Sequence, residues 1–250
     1  MNSGQGFDPP VYKDALVHAF TKVACALSCT YQHDPEARTG HMSETKSSLS
    51  GNQSPIVLAS ASPVRKTLLL AAGLDVDIIP AHIDEDEVKR GLKGEGVAAG
   101  DGATMLAEMK AQRISASQPG RLVLGADQIL VCGGKWFDKP TDLNEARSHL
   151  RTLRGRPHEL ATSAVVVRDG RRIWHHTERP KLTMRPFTDS FIDDYLAHAG
   201  NDILSSVGAY HLEGTGVQLF SRIDGDYFSI LGLPLLPLLA FLREHGVVGS

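Results

Sequence analysis

The side chains best suited to chemistry in this 250-residue chain lie in two places. The first is Leu58-Ala59-Ser60-Ala61-Ser62-Pro63-Val64-Arg65-Lys66. Ser62 is a good N-cap and Pro63 suits the first helical position, so a short strand should turn here into a helix. Unpaired backbone N–H groups and a partial positive charge make a helix start a good place for phosphate. Ser60 and Ser62 add hydroxyl donors, and Arg65 and Lys66 add charge. The plain alternative is an ordinary capped helix with two solvated cations. The second place is Asp127, inside the apolar run 122–131. An uncompensated carboxylate there would be costly. A role facing a ligand or a metal explains it better than a turn or an N-cap does.

These residues need a frame, and the chain from residue 55 supplies one. Residues 56–59 read as a buried strand, 63–73 as a helix stopped by a glycine, and 76–79 as a strand. A long helix is expected over 97–117, with Met105, Met109 and Ile114 among its apolar positions. A strand follows over 122–132, then a helix over 143–153 started by Asp142 and stopped by Gly155. Residues 159–168 and 172–184 read as two strands joined by Asp169-Gly170, a hairpin signal. A helix over 189–198, short strands over 216–223 and 228–231, and a closing helix over 235–244 complete the pattern. The alternation is α/β without a strict βαβ rhythm. No internal repeat is visible at solenoid periods.

The first fifty residues differ. Residues 12–29 predict a helix, with Leu16, Phe20, Val23 and Leu27 on one face, and 32–54 predict a polar, flexible linker. Met42 lies in that linker, so residues 1–41 are expected to be a dispensable extension from an upstream start. Residues 55–250 are expected to form the working domain.

The order of further motifs carries a resemblance. Leu58 to Arg65 is similar to the opening signature of the Maf family of nucleotide pyrophosphatases. Ile83-Asp84-Glu85, Ala107-Glu108-Met109-Lys110-Ala111, Gly125-Ala126-Asp127-Gln128 and Asp138-Lys139-Pro140 resemble its later motifs, in the family's order. Glu145-Ala146, Leu153-Arg154-Gly155-Arg156-Pro157-His158 and the segment from Val207 to Gly214 follow, the last resembling the family's specificity loop. The match runs from about Ile56 to Leu242.

The resemblance implies a mixed, twisted sheet flanked by helices, with two lobes around a nucleotide cleft, as in the related inosine-triphosphatase group. It implies cleavage between the α- and β-phosphates of a nucleoside triphosphate, giving a monophosphate and pyrophosphate. Asp127 becomes the general base for water, and Arg65, Lys66, Lys110 and Lys139 become phosphate clamps beside Ser60 and Ser62. Asp138 could instead be the ion-pair partner of Lys139. Glu85 with Asp127 would hold Mg²⁺ or Mn²⁺, which takes one or two carboxylates plus phosphate oxygens. A homodimer is also implied.

Specificity is expected from Val64, Gln128 and Glu213. The pairing of Gln128 with Glu213 is similar to the branch acting on 7-methyl-GTP. A carboxylate can accept from guanine N1–H and the exocyclic amine. Val64 departs from that branch, where the position is a large aromatic that could stack on a methylated, cationic ring. Glu213 could also be a plain loop acid, and Gln128 a residue at the core rim. A non-enzymatic nucleotide-binding regulator of septum formation is the alternative from a different class. A house-cleaning hydrolase of non-canonical purine triphosphates is the third reading.

Composition excludes other classes. With 42% hydrophobic and 22% charged residues, the chain is globular rather than disordered. A net charge of -3 argues against a coat on a nucleic-acid polymer. Three cysteines, an odd number, do not make a disulfide framework. Cys25, Cys29, His33 and His41 have no common zinc spacing. No apolar run approaches the roughly 20 residues of a membrane helix, and the N-terminus does not read as a secretory signal. A cytoplasmic protein is expected.

Overall fold

The computed structural model describes residues 55–249. The helix expected over 12–29 and the linker over 32–54 fall outside them.

An eight-stranded sheet forms the centre, flanked by helices, as an α/β fold requires. Its main path runs β2-β1-β3-β5-β7-β8. Here β1 is Ile56–Leu58, β2 Val76–Ile78, β3 Val123–Cys132, β5 Pro157–Arg168, β7 Lys181–Met184 and β8 Phe220–Asp224. Strand β1 is parallel to both β2 and β3. The rest of the path is antiparallel. Strands β4 (Lys135–Phe137) and β6 (Arg171–Glu178) pair with β3 and β5 as hairpins. The β5–β6 turn is the expected Asp169-Gly170, with φ of +50° and +74°.

Helix α1 is Pro63–Ala71, α2 Glu85–Gly94, α3 Ala99–Ser115, α4 Leu143–Leu153, α5 Asp189–Ala199, α6 Tyr227–Ile230 and α7 Leu235–Glu244. Short 3₁₀ turns cover Gly200–Ser205 and Thr215–Leu219.

The packing divides into two lobes that share β3 and β5. In one, Val57, Val123 and Val165 pack on α3 through Ala107, Ala111 and Ile114. On the opposite sheet face, Ile56, Leu58 and Leu124 meet Leu69 of α1 and Leu238 and Phe241 of α7. In the other lobe, Leu130, Leu160 and Leu182 pack on Leu150 of α4 and Ile192 of α5. Among the described residues, no helix is long and apolar enough to cross a membrane.

Three local expectations are corrected. Residues 172–184 are two strands, because Pro180 breaks the run and cannot donate to a ladder. Residues 228–231, expected as a strand, fall in and beside helix α6. Asp226 caps it, accepting from Ser229 N at 2.7 Å. Residues 216–219 belong to a 3₁₀ turn, and β8 starts only at Phe220. The acidic run from Asp84 opens helix α2. Asp84 is the N-cap, accepting from Glu87 N at 2.9 Å, with three acids in the first turn, where they complement the helix dipole.

Candidate functional site

Strand β3 is longer than its neighbours on one edge. Strand β1 pairs with it only at Val123 and Leu124. Strand β4 rejoins that same edge at Leu130. Between them, residues 125–129 face a gap in the sheet, just past the carboxyl end of β1. Ligands in open α/β sheets bind at such points. A cleft of about 340 Å³ opens here. Successive strand residues point to opposite faces, yet Asp127 and Gln128 both line the cleft, because the gap reaches through the sheet.

Asp127 is 4% exposed. Its Oδ1 accepts from Lys110 Nζ at 2.6 Å, and its buried Oδ2 has no hydrogen-bond partner among the described residues. Lys110 Nζ also lies 2.7 Å from Glu85 Oε1. One ammonium thus joins the two carboxylates expected to hold a metal. Burial pushes the Glu85 pKa up, but Lys110, with Lys89 and Lys139, outweighs this and holds it below the ordinary carboxylate range. Lys110 reaches Asp127 because α3 packs against Gly125. A Cβ there would lie 2.0 Å from the Ala107 carbonyl oxygen, closer than any packed helix allows.

Arg65 is buried on the opposite wall. Its Nε donates to the Gly232 carbonyl at 2.7 Å and its Nη1 to Ser60 Oγ at 3.0 Å. Burial lowers its pKa, while Asp127 and Glu85 favour its charge. Ser62 caps α1 as expected, accepting from Arg65 N at 3.5 Å. Lys66 does not join the cleft. One residue on from Arg65 is about 100° round the helix, and Lys66 is exposed outside the cleft lining.

Lys139 lines the cleft with no salt-bridge partner among the described residues. Asp138 pairs instead with Lys89 at 3.4 Å and Lys93 at 2.9 Å. Loss of hydration lowers the Lys139 pKa against the pull of Glu85, and Arg65, Lys110 and Lys89 lower it further. Lys89, which the sequence reading missed, is 8% exposed and lines the cleft. Its signal was available, since Glu85 and Lys89 stand four apart on one helix face. Ser205 and Ser206 also line the cleft and carried no comparable signal, while Val207 beside them opens the segment that resembled the specificity loop.

The rest of the lining includes uncharged and acidic side chains. Gln128 Nε2 donates to Thr162 Oγ1, the Ser229 carbonyl and the Ile230 carbonyl at 2.8, 3.0 and 3.1 Å. Carbonyls only accept, so the amide orientation is fixed, and Oε1 has no hydrogen-bond partner among the described residues. Glu213 is half-buried, lines the cleft, and has no salt-bridge partner among the described residues. Burial raises the Tyr195 and Tyr227 pKa values, and Glu213 adds to both. Val64 lines the cleft near the α1 start.

Such a site, with cations, an orphaned carboxylate oxygen and hydrogen-bond acceptors lining one cleft, defines an α/β protein shaped for a small polyanion with a polar head. Residues 55–245 match the profile of Maf-like proteins, and the chain belongs to the Maf family. A nucleoside triphosphate pyrophosphatase of Granulibacter bethesdensis is 55% identical over 190 residues, covering 76% of this chain and 96% of that relative. One of the same name from Rhodospirillum rubrum is 54% identical over 196 residues, covering 78% and 97%. A 7-methyl-GTP pyrophosphatase of Mesorhizobium japonicum is 51% identical over 193 residues, covering 77% and 97%.

Proposed function

We propose that this chain is a nucleoside triphosphate pyrophosphatase, hydrolysing its substrate to a nucleoside monophosphate and pyrophosphate. The observation that carries the reading is the Asp127 carboxylate, buried in a cationic cleft with Oδ2 unpartnered. A buried acceptor without a donor is costly, and taking a proton from an attacking water gives Oδ2 a use that supports the enzyme reading.

In the reaction, a water oxygen forms a bond to the α-phosphorus. Its proton passes to Asp127 Oδ2. The bond from the α-phosphorus to the oxygen bridging to the β-phosphate breaks, and pyrophosphate leaves with the electron pair. Arg65, Lys89 and Lys139 offset the charge that builds on the phosphates. Arg65 does so from a fixed position, because Gly232 and Ser60 hold its guanidinium. Lys110 holds the Asp127 carboxylate in place through Oδ1.

Among the described residues no group of three or more His, Cys, Asp or Glu could cage a metal. Mg²⁺ or Mn²⁺ needs no cage when phosphate oxygens fill its shell, and the orphaned Asp127 Oδ2 fits that requirement. Asp127 and Glu85 would hold the ion, and when bound it would neutralise phosphate charge.

For the base, the open Gln128 Oε1 and the Glu213 carboxylate present acceptors. Guanine answers with N1–H and its exocyclic amine, and uracil has only one N–H on that edge. Val64 supplies no aromatic face, so GTP and related purines are expected beside 7-methyl-GTP. The family resemblance further supports a homodimer, and the net charge of -3 supports action on free nucleotides and not on a nucleic-acid polymer.

The test is pyrophosphate release from GTP, 7-methyl-GTP, UTP and dTTP with Mg²⁺ or Mn²⁺. Asp127→Asn should lower the rate about 10²–10⁴-fold, the usual contribution of a positioned base. An undiminished rate would remove Asp127 from its role. No release from any nucleotide would leave the nucleotide-binding regulator as the reading. Glu213→Gln should lower turnover of GTP and 7-methyl-GTP relative to UTP, and an unchanged ratio would count against the assigned base contact.

A further inference from the structure

The cleft wall that carries Glu213 also holds Ser205, Ser206, Val207, Tyr210 and Leu212. Its backbone turns through two consecutive left-handed residues, Gly208 at φ +79° and Ala209 at φ +60°. For alanine that conformation costs roughly 1–2 kcal/mol. It persists only where the surroundings over-determine it.

Three side chains do so. The Tyr195 hydroxyl donates to the Ala209 carbonyl at 3.4 Å. Ser206 Oγ donates to the Tyr210 carbonyl at 2.6 Å. The Tyr210 hydroxyl is hydrogen-bonded to His158 Nε2 of β5 at 2.9 Å, across 52 residues of sequence. The Tyr210 ring then fills the space beside the turn. A Cβ on Gly208 would lie 2.8 Å from it, and Phe220 packs edge-on against it at 4.9 Å.

His158 is an expensive choice for this place. It is 3% exposed, its Nδ1 has no hydrogen-bond partner among the described residues, and burial pushes its pKa down to about 4. An apolar side chain would fill the volume at lower cost. What an apolar residue could not do is fix the Tyr210 hydroxyl.

We propose that His158 and Tyr210 are positioning residues for the nucleotide base. Their hydrogen bond ties the left-handed turn at Gly208 and Ala209 to the rigid strand β5, and so sets Leu212 and Glu213 against the ring. The assignment rests on the nucleoside triphosphate reading. It makes the base end of the cleft depend on a bond that touches no substrate atom.

Two ligands separate this role from general stability. Calorimetry should measure binding of α,β-methylene-GTP, which carries a base, and of inorganic triphosphate, which does not. In Tyr210→Phe, which keeps the ring, Kd for the analogue should rise about fivefold to tenfold, the worth of one hydrogen bond. Kd for triphosphate should stay unchanged. His158→Leu should behave alike, and His158→Gln, whose amide nitrogen can reach Tyr210, should recover most of the affinity. Equal weakening of both ligands, or an unmoved Kd for the analogue, would overturn the proposal. Failure of the wild-type protein to bind the analogue at all would overturn it too. A wild-type protein that binds the analogue but releases no pyrophosphate would sink the activity alone, and the two Kd values would still decide the positioning role.

Discussion

Lys110 is the residue whose setting the sequence described least well. Its place on a motif suggested a phosphate clamp, but its ammonium sits between Glu85 Oε1 and Asp127 Oδ1. A motif reports which residues act together, and it does not report which of them are already paired. The same gap hid the partner of Asp138, which is not the adjacent Lys139 but Lys89 and Lys93 on α2. Asp127 itself was legible, because a carboxylate inside an apolar strand is anomalous on its face. The pairing has an energetic consequence. Lys110→Met leaves a buried carboxylate without its hydrogen-bonded cation and should cost about 2–4 kcal/mol of unfolding free energy, near the range for breaking a buried pair. In a double-mutant cycle with Asp127→Asn, the two losses should fail to add by at least about 1 kcal/mol. Additive losses in urea melts would mean the contact contributes nothing to the fold.

At the scale of elements, the site depends on how closely α3 lies on β3. Gly125 permits that approach, and it stands two residues before Asp127, on the same strand face. Gly125→Ala must push α3 away from the sheet, because the obstacle is backbone, the Ala107 carbonyl. The expected cost is about 1–3 kcal/mol, as for other overpacking. Turnover should fall with it, since Lys110 and Asp127 separate. Gly91→Ala on α2, where a Cβ meets nothing within 4 Å, is the control and should be neutral or stabilising by about 0.5–1 kcal/mol. Equal behaviour of the two variants in thermal melts and pyrophosphate release would refute the close-packing account. The elements that carry the site were mostly readable. Strand β3, helix α3 and the capped start of α1 follow from apolar runs and a Ser-Pro step. Helix α2 was not, because little besides the Asp84 cap and the acids of its first turn marks its start. Helix α6 was missed because four residues, Tyr227 to Ile230, give too short a period to separate helix from strand, and only the Asp226 cap decides it.

At the scale of the whole molecule, the cleft exists because β3 and β5 are long enough to serve two cores. The first core is built on α1, α3 and α7, the second on α4 and α5. No sequence pattern announces a gap between β1 and β4 on one strand edge, since it is made by where two separate neighbours stop. The motif order could place Asp127, Lys139 and Glu213 in one site, but not on which wall each stands. Among the described residues, those that build both cores and the cleft lie between positions 56 and 248, and the relatives from Granulibacter and Rhodospirillum are covered to 96% and 97% of their own length by a match of fewer than 200 residues. The expectation that residues 1–41 are dispensable is open to a direct test. A chain begun at Met42 should melt within about 2 °C of the full chain, the scale of a surface change in a domain of this size. Its pyrophosphate release should be unchanged. A lower melting temperature with full turnover would assign the first 41 residues a part in stability. Loss of turnover at an unchanged melting temperature would assign them a part in the site, and either result would overturn the expectation that they are dispensable.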